Sequence, residues 1–238
     1  MSQNIPEQTW HLGAYEYPFY RYTVEKSAFL TRSNCLLDAG CGPKGSSLSR
    51  FNSEYFVGVD ISKANVDSSK KLYPKKEYVL ASLDALPFKK EVFDKIICID
   101  VIEHVKEKET VFKELSRVSK INGCLIGSTS NELNPMLFFD SVLPSLSEPL
   151  QRKFAPGHYE RHKRVTPKSL SSGLNDAGFK CEYQLFGFPV FNPWVYQFLN
   201  LRVPLYGYIW TCLDRMLNHK MLLFFKETLV WRAKKQSD

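Results

Sequence analysis

The sequence predicts an α/β protein: a mostly parallel sheet with a cap of inserted segments over one edge. Three observations predict it. Short apolar runs alternate with helical patterns from residue 35 onward, the first run ends in a glycine-rich turn, and aspartates close four successive runs. Strands separated by helices imply right-handed crossovers and parallel pairing. The 238 residues, 44% hydrophobic and 24% charged, suffice for one domain with a full core and exclude a wholly disordered chain.

The elements follow in order. Residues 1–30 are tyrosine-rich and expected to be partly helical. Cys35–Asp38 is a short apolar strand that enters a tight turn at Gly40, Gly42 and Gly45, and a helix can start at Ser46. Tyr55–Asp60 is a second strand, and Ser62 can cap a helix over Lys63–Leu72. A third strand begins at Tyr78–Val79–Leu80 and is expected to end at Asp84. Phe93–Asp100 is nearly continuous apolar sequence, as in a strand buried on both faces. Val111, Phe112, Leu115 and Val118 give a helical period within Lys106–Ser119. Cys124–Gly127 is a fifth strand, Thr166–Ala177 a helix stopped by Gly178, Phe179–Phe186 a sixth strand, and Thr228–Arg232 a closing antiparallel strand. The segments between strands five and six and between strand six and the closing strand leave from strand carboxyl ends and are expected to form the cap. Ligands of such sheets bind beyond those ends. Asp38, Asp60, Asp84 and Asp100 all fall there, which suggests a polar ligand laid across one edge.

Net charge is +7, unevenly placed: residues 1–150 carry 18 basic and 19 acidic side chains, residues 151–238 carry 14 and 6. The same last third concentrates Phe, Tyr and Trp. Basic charge beside aromatics suits an anionic substrate, a membrane surface or nucleic acid, and equally a solvated face over an aromatic core. No apolar run is clean enough to span a bilayer, and MSQNIPEQTW has no signal-peptide stretch, so the expected location is cytoplasmic, with peripheral membrane contact as an added expectation. The six cysteines show no CxxC and no cysteine–histidine zinc spacing; they read as buried thiols in a reducing compartment, and no metal is expected.

Gly40, Gly42 and Gly45 satisfy GxGxxG, with Asp60 eighteen residues after Gly42, so a dinucleotide is one reading. Asp38, two residues before the first glycine, argues for another ligand. A carboxylate there repels pyrophosphate but tolerates a cation. Asp60 suits a ribose diol, and the Ser82–Phe88 segment offers Asp84 as an acceptor for an adenine amino group.

LLDAGCGPKG (36–45), VGVD (57–60), ASLDALPF (81–88), FDKIICIDVIEHV (93–105) and LSRVSKINGCLIGSTSN (115–131) resemble, in order and spacing, the class I S-adenosylmethionine-dependent methyltransferases of the small-molecule type, with their D-x-G-x-G and E-H signatures. The resemblance resumes over Gly157–His158, Thr166–Leu170 and Ala177–Phe179. It implies a Rossmann-like seven-stranded sheet closed by the antiparallel strand, with a core over 31–131, 157–187 and 226–234. A helical segment over 1–30 and cap insertions over 132–156 and 188–225 complete the expected organisation. It also implies S-adenosyl-L-methionine as cofactor and S-adenosyl-L-homocysteine as product. Asp38, Gly40, Cys41 and Gly42 would lie near the methionyl part, Asp60 and the adjoining Ile61 at the ribose, Leu83 with Asp84 at adenine, and Asp100 at the methionyl and acceptor end.

An oxygen or nitrogen acceptor needs a base, and histidine serves near neutral pH. His104, after Glu103, falls beside the expected methyl position; the pair reads as catalytic or as fixing a loop or capping the following helix. His158 and Arg161, in a basic stretch before Thr166, read as holding an anionic acceptor or as a solvated loop. The leading expectation is a methyltransferase acting on a small apolar or anionic, even lipid-like, acceptor. The alternatives are an RNA methyltransferase and a non-catalytic cofactor-binding module. No DNA partner is expected, and the sequence sets neither the acceptor atom nor the oligomeric state.

Overall fold

The computed structural model describes residues 33–43, 53–131, 165–186 and 228–237. The strands are β1 (Ser33–Ala39), β2 (Ser53–Asp60), β3 (Glu77–Leu80), β4 (Phe93–Ile99), β5 (Ser119–Ser130), β6 (Phe179–Phe186) and β7 (Thr228–Lys235). The described helices are α1 (Lys63–Leu72), α2 (Lys108–Val118) and α3 (Pro167–Asp176), with a 3-10 turn over Ile102–His104. All seven strands form one sheet in the order β3-β2-β1-β4-β5-β7-β6. The pairs among β1 to β5 are parallel, and β7 runs antiparallel between β5 and β6. The order reverses between β1 and β4, the switch point where such sheets open a crevice at their carboxyl edge.

Each face of the sheet is buried. On one, Val66 of α1 joins Leu36, Phe56, Tyr78, Ile97 and Ile126. On the other, Phe112 and Leu115 of α2 and Leu170 and Leu174 of α3 join Ile96, Cys98, Leu125 and Trp231. Phe112 meets Trp231 edge-on at 6.3 Å between ring centroids. Residue 127 must be glycine because the Trp231 indole occupies the space of a Cβ there. Truncating so large a buried aromatic costs about 3–5 kcal/mol.

Local signals explain the helices. Ser62 accepts the Asn65 amide and starts α1, and Thr166 with Ser169 forms a capping box before Pro167 at the start of α3. Gly178, at φ +85°, ends α3 as expected. β1, β2 and β7 run two or three residues longer than expected, and three further boundaries differ in ways that bear on the site. β3 stops at Leu80 because its partner β2 ends at Asp60, so Asp84 sits in the following turn and not at a strand end. That turn folds back to bury Leu83 and Leu86. Arg117 fastens it by donating to the carbonyls of Phe88 (2.8 Å) and Leu86 (3.1 Å), while Glu114 accepts the Leu86 amide at 2.7 Å. β5 is much longer than Cys124–Gly127: it begins at Ser119, directly after α2, in a polar stretch with Asn122 at φ +64° and a register shift against β4. α2 begins at Lys108, with Glu107 at its N-cap, so neither Glu103 nor His104 caps it.

The expected helices over 1–30 and from Ser46, both cap insertions, Cys212 and the basic stretch with His158 and Arg161 lie outside the described residues. The described cysteines are free thiols, with Cys41 and Cys98 buried. Among the described residues no helix is long and apolar enough to cross a membrane, and no group of three or more His, Cys, Asp or Glu side chains is arranged to hold a metal ion.

Candidate active site

The site is built on the turn that follows β1. Gly40 (φ +81°) and Gly42 (φ +63°) are both left-handed, a conformation costing other residues roughly 1–2 kcal/mol. The amides of Gly40 and Cys41 both donate to the Val59 carbonyl, at 2.8 and 2.9 Å, tying the turn to β2. Gly40 has a second constraint, because the Val101 side chain occupies the place of its Cβ. Gly42 differs: a Cβ there would meet no described atom within 4 Å.

Asp60 closes the turn from β2. One carboxylate oxygen accepts the Gly42 amide at 2.9 Å; the other accepts the Ser62 amide at 2.8 Å and the Asn65 side-chain amide at 3.1 Å. The side chain that suits a ribose diol therefore also joins the glycine turn to the N-terminus of α1. Ser69 supports the turn from below, donating to the Gly42 carbonyl at 2.8 Å.

Asp38 is buried at 2% exposure, and its Oδ2 has no hydrogen-bond partner among the described residues. Burial, then the Asp60 charge, raises its carboxyl from the usual carboxylate range to about 7. Burial likewise pushes up the thiol of Cys41, with Asp38 and Asp60 adding to the effect, so this cysteine is a neutral filler of the turn. A buried carboxyl with an unpartnered oxygen beside a left-handed, half-buried glycine turn fits a cationic ligand approached by main chain, as an adenosyl sulfonium requires.

Of the residues expected at adenine and ribose, Ile61 is 75% exposed, an apolar side chain at the edge. Asp84 is exposed, whereas Leu83 is buried in the core and contributes to the turn from within. Across the switch point, Asp100 directly follows β4, half-buried and left-handed at φ +52°. Glu103 is buried and His104 exposed within the 3-10 turn, whose His104 amide donates to Val101 O at 3.0 Å. The structure thus brings Asp38, Gly40, Cys41, Gly42, Asp60 and Asp100 to one rim, with the Glu103–His104 turn just beyond.

Sequence reasoning missed three supporting residues. Val101 fits against Gly40, Arg117 fastens the turn containing Asp84, and Ser128 bonds Asp100. In the sequence, Arg117 with Glu114 looks like a surface pair and Ser128 like a strand residue; nothing local marks either.

A parallel sheet with a glycine turn and acidic groups at its reversal point defines a Rossmann-like cofactor-binding domain. Residues 37–127 match a family model described as Methyltransferase domain. The chain is 37% identical over 143 residues to a ubiquinone biosynthesis O-methyltransferase of Pelagibacter ubique, covering 57% of each chain. It is 33% identical over 100 residues to a malonyl-[acyl-carrier protein] O-methyltransferase of Legionella pneumophila, covering 40% of this chain and 35% of that one. Its fold matches that of phosphoethanolamine N-methyltransferase 2 of Haemonchus contortus, solved with S-adenosyl-L-methionine, at TM-score 0.60 and 15% identity over 91% of this chain and 52% of that one. Over residues 37–127 the chain carries a methyltransferase domain similar to those of S-adenosylmethionine-dependent methyltransferases, whose cofactor is S-adenosyl-L-methionine. It spans little more than half the length of the first curated relatives it matches.

Proposed function

We propose that this chain transfers a methyl group from S-adenosyl-L-methionine to an oxygen of a small acceptor that is apolar and lipid-like or carries an acidic group. The observation that carries the reading is the rim itself: a buried Asp38 carboxyl with an unpartnered oxygen beside the left-handed, half-buried glycine turn. Support for an oxygen acceptor comes from the names of the ubiquinone and malonyl-[acyl-carrier protein] relatives.

The bound cofactor supplies an electrophilic methyl on a positively charged sulfur, which becomes neutral when the methyl leaves. The residues around it divide the remaining work. Asp38 and the turn Gly40–Cys41–Gly42 receive the methionyl part, Asp60 with Ile61 the ribose, and the Leu83–Asp84 turn adenine. Asp100 bounds the junction of the methionyl part and the acceptor. His104 takes the proton of the acceptor hydroxyl as the new carbon–oxygen bond forms and returns it to solvent, while Glu103 holds the turn that carries it. His158 and Arg161 bind an acidic group of the acceptor, and the 132–156 and 188–225 segments exclude water. Holding the reactants in line contributes roughly 7–11 kcal/mol to such reactions.

The test is release of S-adenosyl-L-homocysteine by the purified chain with a panel of prenylated catechols, fatty acids and acyl thioesters. Turnover confined to acceptors without an ionisable oxygen would reject the oxygen reading. The 14 basic against 6 acidic side chains of residues 151–238 favour a second reading, RNA methylation, which requires RNA binding that weakens steeply with salt. Peripheral membrane contact through the aromatic 188–225 segment belongs to the lipid-like reading; co-sedimentation with anionic vesicles tests it, and no binding removes it.

A further inference from the structure

We propose that Ser128 is a positioning residue of the methyl-transfer site, fixing the direction of the Asp100 carboxylate through its side-chain hydroxyl. Ser128 stands opposite Ile99 in the β4–β5 register, fully buried near the carboxyl end of β5. Three contacts run between it and Asp100. The Asp100 amide donates to Ser128 O at 3.0 Å and to Ser128 Oγ at 3.2 Å, and the Ser128 hydroxyl donates to Asp100 Oδ1 at 2.6 Å. The last is short, as charge-assisted O–H···O⁻ bonds are.

Sheet pairing accounts for the first contact alone. An amide-to-carbonyl bond joins neighbouring strands whatever the side chain at 128. The hydroxyl contacts are additional, and they act on a residue in a sparsely populated conformation. Asp100 is left-handed, a region aspartate enters more readily than most residues but still at a cost. Grasping both its amide and its carboxylate specifies the backbone turn and the side-chain direction together. The left-handed turn also sets the path of Val101, whose side chain fills the space above Gly40. One hydroxyl on β5 therefore orients a rim carboxylate and supports the seating of β4 against the β1 turn.

This inference rests on the reading that Asp100 bounds the amino-acid end of the cofactor. Binding of S-adenosyl-L-homocysteine and of 5′-methylthioadenosine, which lacks the amino-acid portion, is measured by calorimetry on the full chain. The variants are Ser128→Ala, Asp100→Ala and the double substitution, with Ser128→Cys as a near-isosteric alternative should the alanine variant not fold. A lost hydrogen bond to a charged group predicts roughly tenfold weaker S-adenosyl-L-homocysteine binding in Ser128→Ala, against less than about twofold for 5′-methylthioadenosine. The double variant should bind no more weakly than Asp100→Ala. Equal losses for both ligands would show a general structural role and overturn the proposal, as would a Ser128→Ala loss that persists undiminished without Asp100. If Asp100→Ala weakens binding and Ser128→Ala does not, only the Ser128 inference falls. If Asp100→Ala has no effect, the reading of Asp100 falls with it.

Discussion

The two halves of the rim solve the same steric problem differently. Beyond β1 the chain turns through left-handed glycines, with Asp60 bonding the turn at Gly42. Beyond β4 it turns through a left-handed aspartate, and Ser128 on the next strand bonds that residue at backbone and side chain. Glycine removes the strain at its own position, and the first turn is held by Val59 and Asp60 of β2, by Ser69 of α1 and by Val101 beside Gly40. The aspartate keeps a charged side chain at the turn, and its conformation depends on a neighbour twenty-eight residues away. In the proposed reading the first half holds the donor and draws mostly on nearby residues, while the second, which also bounds the acceptor, is assembled from more distant parts.

The largest effect that would sharpen this contrast is on turnover. Replacing His104 by alanine should reduce turnover about 10²–10⁴-fold while S-adenosyl-L-homocysteine affinity stays within about twofold, as read by product assay and calorimetry. Retained turnover would remove the acceptor half's base.

Asp38 provides a pH test of the donor half. Its folded-state pKa, about 7, lies above the unfolded value, so the native state holds the proton more tightly. The carboxyl's contribution to stability is thus greatest below about pH 4, declines as pH rises to 7 and is level above, a change on the order of 4 kcal/mol. Asp38→Asn should flatten that decline in urea titrations. A cationic ligand favours the ionised carboxylate, so cofactor binding should tighten from pH 6 to 8 in the parent chain and much less in Asp38→Asn.

The two glycines should then separate. Gly40→Ala combines left-handed strain with collision against Val101 and should cost about 2–4 kcal/mol in unfolding experiments. Gly42→Ala meets no described atom and should cost only about 1–2 kcal/mol, and if the turn receives the methionyl part as proposed it should weaken cofactor binding as well. Equal stability losses would contradict the distinction. The smallest effect is expected at Ser62→Ala, which removes a long 3.4 Å cap contact and should cost about 0.5–1 kcal/mol.

The same contrast explains what the sequence disclosed. Gly40, Gly42, Asp60, the Ser62 cap and the Thr166 helix start are local requirements and are legible as patterns. So was the continuous apolar run of β4, whose burial on both faces demands it. The end of β3 was not, because it depends on where β2 stops offering partners. Nor was the first half of β5: Ser119 was expected to end the preceding helix, yet it pairs with Phe93, and Lys120–Gly123 form the irregularity before pairing resumes at Cys124. Leu83 looked like a ligand-facing residue, yet its side chain fills the core, a distinction made by the Arg117 and Glu114 contacts to the same turn. Ser128 became visible only when β4 and β5 lay side by side.

No separate connector lies between α2, ending at Val118, and β5, starting at Ser119, so Lys120–Gly123, unpaired with β4, hold the only slack in the chain that delivers Ser128. Helix position and strand offset are mechanically joined, so one amino acid inserted at that junction must either be absorbed by the irregularity near Asn122 or slide the serine by about 3.4 Å and turn its side chain to the opposite face. Within that stretch a side chain at 123 would collide with the Lys120 carbonyl and the Ser119 hydroxyl, so homologous chains should keep glycine at 123 while tolerating change at exposed Ile121.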